Sequence, residues 1–186
     1  MAAVLVEYLE DAEPLTFGDV ARQCRIDGND EREHIETVVI PTARQAAETK
    51  SGAAIRKARY VERLAVFPQG EFSLAIGQVE DVESVVWRSP GEATSPLPPA
   101  LYEVVQAGRD TYLAPTSAMG WPTATAVTIT YVAGTDLEKF PSVRSWMLLA
   151  AAWVYEQREL FGSGQVEMPS GFAEMLLAPI TVSPRF

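Results

Sequence analysis

The chain has 186 residues, 47% of them hydrophobic, and a formal net charge of −10 at pH 7. That size and apolar share suit one domain, or one domain with a sizeable insertion, around a real core. The acidic balance excludes tight nucleic-acid binding by counterion release, and a single cysteine, Cys24, excludes an internal disulfide or a thiolate metal cluster within one chain. The N-terminus lacks a basic stretch and reaches Glu7 early, so it does not read as a signal peptide. The expectation is a soluble protein made inside the cell.

Residues 1–11 read as an extended lead-in. Pro14 pushes Glu13 out of the helical region, and Thr16 with Asp19 three residues on forms a capping-box pattern. A short helix is predicted to about Cys24, burying Phe17, Val20 and Cys24. After the turn at Asp27-Gly28-Asn29-Asp30, a second helix is predicted from Asp30 to Lys50. Its stripe is Ile35, Val38, Val39, Thr42, Ala46 and Thr49. Pro41 lies inside it and predicts a kink, because proline removes one backbone bond and crowds the carbonyl at Thr37. Ser51-Gly52 ends it.

From Ala58 the period changes to two, giving a strand that runs to Phe67. Further strands are predicted over Phe72–Ile76, Val82–Arg88, Leu101–Gln106, Thr111–Leu113 and Val127–Val132. They are short, β-branched and separated by Pro- and Gly-bearing turns, which points to antiparallel pairing. Ser89 to Pro99 holds four prolines and reads as a loop.

Val143 to Phe161 predicts a long helix. Trp146 to Tyr155 runs ten residues without a polar side chain, rich in the strong helix formers Ala, Leu and Met. As a helix it rises only about 15 Å, too short to span a membrane. A helix apolar all round must be covered all round, so Trp146, Leu149 and Trp153 are expected in the core or against another subunit. Gly162-Ser163-Gly164-Gln165 then reads as a hinge, and Gly171 to Pro179 as a short amphipathic turn of helix in an apolar tail. The predicted fold class is α+β. It comprises a small helical bundle of two N-terminal helices and one long apolar helix, an antiparallel β insertion between the second and third helices, and a C-terminal docking tail. The boundaries are 1–57 for the lead-in and two helices, 58–135 for the β insertion, 136–161 for the central helix, and 162–186 for hinge and tail.

No catalytic constellation stands out. His34 is the only histidine and has no Gly-x-Ser-x-Gly elbow to serve. Cys24 reads as a packing residue. Carboxylates cluster at Asp30-Glu31-Arg32-Glu33, at Glu80-Asp81-Val82-Glu83 and at Glu156 with Glu159, each where a cap or a solvated face would place them. None of Gly52, Gly70, Gly77 and Gly91 belongs to a phosphate-binding loop. The cluster Arg56-Lys57-Ala58-Arg59 lacks an aromatic platform and reads as salt-bridging. No enzyme activity, metal or cofactor is expected.

The order of elements resembles the head–tail connector (adaptor) proteins of tailed bacteriophages and phage-like gene transfer agents. The likeness lies in the opening from Ala12-Glu13-Pro14-Leu15-Thr16 to Arg25-Ile26-Asp27, and in Asp30-Glu31 with the Ala-rich helix through Ala43, Ala46, Ala47 and Glu48. It continues in Trp121-Pro122 and Val127-Thr128-Ile129-Thr130-Tyr131-Val132-Ala133-Gly134. Pro141-Ser142-Val143, leading into the helix that ends Tyr155-Glu156-Gln157-Arg158-Glu159, carries it furthest, and Met175-Leu176-Leu177-Ala178-Pro179 closes it. Pro41, Cys24 in place of a leucine, and Glu138-Lys139-Phe140 depart from the family pattern.

The resemblance implies a non-enzymatic structural virion protein, made in the bacterial cytoplasm and located at the capsid vertex or neck. It would form a homo-oligomeric ring of about twelve copies beneath the portal. Its other partner would be a stopper, tail-terminator or other tail-completion protein. The ring would line a channel through which DNA passes without specific binding, which an acidic surface suits. It also implies that the tail reaches the portal. Phe172, Met175, Leu176, Leu177, Arg185 and Phe186 are the candidate contacts, and truncation after Gly164 is expected to abolish that binding while leaving the domain folded. Two other classes stay open. One is a different phage assembly or tail-completion protein, such as a tail terminator; the other is a hydrolase using carboxylates such as Glu80 and Asp81.

Overall fold

The alternation that begins at Ala58 produces β2 (Ala58–Leu64), which turns Ala58, Tyr60, Glu62 and Leu64 inward. In the computed structural model, which describes residues 3–157 and 170–183, β2 pairs antiparallel with β1 (Ala3–Tyr8) on one side and β8 (Ala126–Ala133) on the other. β8 then pairs with β4 (Val79–Arg88), and β4 with β5 (Thr94–Pro96), for a five-stranded order β1-β2-β8-β4-β5. A second antiparallel sheet has the order β3 (Phe72–Ser73), β7 (Asp110–Pro115), β6 (Tyr102–Ala107). Between the sheets lies a core of Tyr60, Leu64, Leu74, Val85, Leu113, Ile129 and Tyr131. Glu62 is fully buried there and accepts the Ala75 backbone N–H at 2.8 Å, tying β2 to the segment after β3.

The helices build a second core beside it. α1 (Phe17–Cys24) starts on the predicted capping box. The Thr16 hydroxyl accepts from the Asp19 backbone N–H at 3.2 Å, and the Asp19 carboxylate accepts from the Thr16 backbone N–H at 3.0 Å. The second helix comes in three parts: α2 (Arg32–His34), a π-helical turn over Ile35–Val39, and α3 (Ile40–Ser51). The expected kink at Pro41 takes the form of this π turn. It widens the ladder immediately before the proline, with the Ile40 N–H reaching back to the Ile35 carbonyl. Gly52, at φ 70°, closes α3 in the left-handed region that glycine tolerates best. α4 (Pro141–Glu156) lays Val143, Trp146, Met147, Ala150 and Ala151 against Ile35, Val39, Ala43 and Ala47. α5 (Ser170–Leu177) adds Ala173 and Leu177, and Ile180 follows them into the same core.

Two features of the predicted architecture are corrected. The β structure is not an insertion into a helical bundle: the N-terminal segment is itself a strand of the larger sheet, and eight strands in two sheets make up much of the described chain. Nor is the third helix a long one covered all round. It has sixteen residues, ends at Glu156 rather than Phe161, and buries one face. Leu148 and Leu149 are half-buried, and Trp153 is 44% exposed. Apolar composition alone overstated its coverage, because alanines in the run let neighbours approach on one side without needing cover on the others. No described helix is long and apolar enough to cross a membrane.

Candidate functional site

Among the described residues, an open cleft is lined by Asp30, Glu31 and His34 with Val38, Val154 and Gln157, and it brings neither Cys24 nor the carboxylates of residues 80–83 to them. The surface also carries unpaired strand edge and exposed aliphatic side chains. β1 forms one edge of the larger sheet, and Val4, Leu5 and Val6 are 56%, 41% and 54% exposed. β6 forms one edge of the smaller sheet, where Leu101 and Val104 are each more than two-fifths exposed. Large exposed aliphatics on an unpaired edge mark a place for another chain.

A charged clamp fixes where β1 leaves the body. Arg44, buried on α3, donates from Nε to Glu13 at 2.7 Å and from Nη1 to Glu48 at 2.8 Å and to the Tyr8 hydroxyl at 3.0 Å. Arg56 donates to the Glu10 and Asp11 backbone carbonyls and to Glu13, and its guanidinium lies 4.1 Å from the centre of the Tyr8 ring. Burial alone would weaken Arg44's hold on its proton. The Glu13 hydrogen bond and the charges of Glu48 and Glu13 outweigh that and raise its pKa. Further along β1, Glu7 pairs with Arg59, which also grips Glu83 on β4 at 2.7 Å.

The sequence-chosen contact residues separate in space. On α5, Phe172 and Met175 project into solvent at 58% and 73% exposure, Leu176 is half-buried, and Leu177 is buried in the chain's own core. Arg185 and Phe186 lie outside the described residues. On α4, Trp146 is buried, Leu149 half-buried and Trp153 exposed. Beyond α5 the chain docks on its own body: the Val182 N–H donates to the Ser51 carbonyl at 2.8 Å, the Ser183 hydroxyl to Asp110 at 3.0 Å, and Arg109 to the Ala178 carbonyl at 2.7 Å. Val4, Leu5 and Val6 were not among the residues the sequence singled out. Their signal was there, as an aliphatic run on a strand with no polar alternation.

The groups weighed for catalysis have structural occupations. Glu80 pairs with Lys57 and Glu83 with Arg59, so two of the three carboxylates at this cluster neutralise cations at the base of β2. Cys24 packs against the helical core, and burial together with the Glu156 charge pushes its thiol up, away from the nucleophilic thiolate. His34 is exposed on α2. Among the described residues no three His, Cys, Asp or Glu side chains come together as a metal site.

No protein-family model matches the sequence, and no curated protein matches it. Solved structures do. The whole chain aligns with 98% of a chain in a structure of the neck of an empty gene transfer agent particle computed with C6 symmetry, at a TM-score of 0.77 and 20% identity. The chain shares the fold of a gene transfer agent particle protein. A chain from the virion of a native gene transfer agent particle aligns over the same shares, at 0.76 and 19%. One from the neck of a native particle, computed with C12 symmetry, gives 0.68 and 20%, again over 100% of this chain and 98% of that one.

Proposed function

We propose that the protein is a structural component of a phage-like particle: a non-enzymatic head–tail connector that assembles as a homo-oligomeric ring in the neck. The observation that carries the reading is the likeness to chains of gene transfer agent necks over the full length aligned. In this reading the ring sits beneath the portal, joins capsid to tail, and offers its far side to a stopper or tail-terminator protein. DNA passes through its channel without specific contacts, as a chain of net charge −10 favours. The exposed Phe172 and Met175 of α5 supply an apolar anchor for the portal.

Quantitative mass spectrometry of gradient-purified particles tests the proposal. The expected result is a copy number close to that of the portal protein in tailed particles. Absence from finished particles overturns it and turns attention to an assembly factor.

A further inference from the structure

Ring assembly needs two different surfaces on each copy, because a head-to-tail contact joins one patch to another rather than a patch to itself. Four strand edges are available among the described residues. β5 has three residues and ends in Pro96, and β3 has two, so neither can hold a ladder. The other two, β1 and β6, each run six residues with no proline and no lysine, and they lie in different sheets. β1 shows Val4, Leu5, Val6 and, just beyond, Leu9; β6 shows Val104, with Leu101 beside it. Natural edges are commonly blunted by lysine, proline or a bulge. β1 carries only a bulge between Leu5 and Glu7, and β6 pairs with β7 in unbroken register.

Resting on the connector reading above, we propose that β1 of one copy pairs in parallel with β6 of the next, so that the ring is closed by strand addition. Backbone hydrogen bonds supply the join, and the exposed aliphatics on both strands supply the apolar contact. Charge sets the direction. Laid antiparallel over their full length, the strands place Glu7 opposite Glu103, a like-charge pair that destabilises. Laid parallel, Glu103 meets Val4, Glu7 meets Gln106, and the chain beyond β1 carries Glu10 and Asp11 toward Arg109. Arg109 is exposed and has no carboxylate partner among the described residues.

The test is disulfide trapping with the full-length chain in a Cys24→Ser background. A chain carrying Val4→Cys and Glu103→Cys is expected to form, on mild oxidation, a ladder of dimers, trimers and higher species, while either cysteine alone stops at dimers or monomers. Both positions are exposed, so thermal melts matching the parent confirm that the fold is intact. A ladder from Val4→Cys with Gln106→Cys instead overturns the parallel arrangement, and absence of a ladder from both pairs overturns strand addition. Val104→Lys, at a position 42% exposed, is expected to weaken self-association at least tenfold in sedimentation velocity; an unchanged association overturns the role of β6. Particle stoichiometry is independent of these results: a ring-like copy number without a ladder defeats this inference alone, and a ladder in a chain missing from particles defeats the connector reading alone.

Discussion

Arg44 and Glu13 form a two-pronged ion pair, Nε to Oε2 at 2.7 Å and Nη2 to Oε1 at 3.2 Å, with the arginine side chain 3% exposed. Glu13 lies just beyond β1 and Arg44 on α3, so the pair fastens the N-terminal strand to the helical core. Removing one partner of a buried pair strands the other charge, at a cost of roughly 3–5 kcal/mol. Arg44→Met is therefore expected to lower the unfolding midpoint sharply, because it leaves Glu13 and Glu48 without their shared guanidinium. Glu13→Gln should cost less, since Glu48 still holds Arg44. Urea titrations of both variants check the order, and a wild-type midpoint for Glu13→Gln would show that the Glu13 arm is not the fastening.

The start of α1 gives a pH dependence with a definite sign. Partial burial alone would raise the pKa of Asp19, but hydrogen bonds from Thr16 and the nearby Arg144 charge hold it below the usual range. A carboxylate depressed in the folded state stabilises the fold above its unfolded pKa of about 3.9 and loses that contribution as pH falls through the folded value. Stability should therefore decline below about pH 4 more steeply in the wild type than in Asp19→Asn. Thr16→Ala removes the hydroxyl cap and should cost about 1 kcal/mol near neutrality. Acid titration of the melting temperature tests both expectations.

Gly77 sits where a side chain has no room. A methyl there would press on Val182 and come within 3.3 Å of Ala53 Cβ. Its backbone N–H donates to the Gly52 carbonyl at 3.0 Å, so the residue cannot simply back away. Gly77→Ala is expected to lift the docked segment around Val182 off α3. Hydrogen exchange should then rise at Val182, whose N–H is held by the Ser51 carbonyl. Exchange unchanged there would mean that the local backbone absorbs the methyl.

What was legible in the sequence follows the range of the interactions. The capping box at Thr16 and Asp19 involves residues three apart and could be read directly. Strand β2 and its inward Tyr60 and Leu64 follow from alternation alone. β1 was legible as extended but not as part of a sheet, because its partners Ala58 to Glu62 lie far along the chain and a short aliphatic run has no period to announce an edge. The π turn before Pro41 is equally hidden: proline signals a disturbance in the ladder, not which accommodation the neighbours will permit. In α4 the apolar run was plain, yet its half-exposed Leu148 and Leu149 and exposed Trp153 depend on where α3 and α5 fall. The clamp of Arg44, Arg56, Glu13 and Tyr8 joins three segments and has no local signature. Individual residues of the candidate surface were visible as apolar, but their exposure was not.

Ending the chain after Gly164 bears on both stability and function. The expectation from sequence was a domain that stays folded without its tail. The structure places Ala173, Leu177 and Ile180 at 5%, 1% and 0% exposure against α4 and its neighbours, and adds the backbone bond from Val182 to Ser51. Full burial of two large aliphatic side chains contributes about 3–6 kcal/mol, a large part of a small domain's net stability. The truncated chain is therefore expected to unfold at a clearly lower denaturant concentration, or to fail to fold. A wild-type midpoint would show that the docked segment contributes little. Loss of portal binding in such a truncation cannot then be assigned to a lost contact. Phe172→Ser with Met175→Ser is the cleaner probe, because both side chains are more than half exposed and their removal leaves the core intact. That variant should melt as the wild type does, yet bind the portal at least tenfold more weakly. Unchanged binding would remove α5 from the interface.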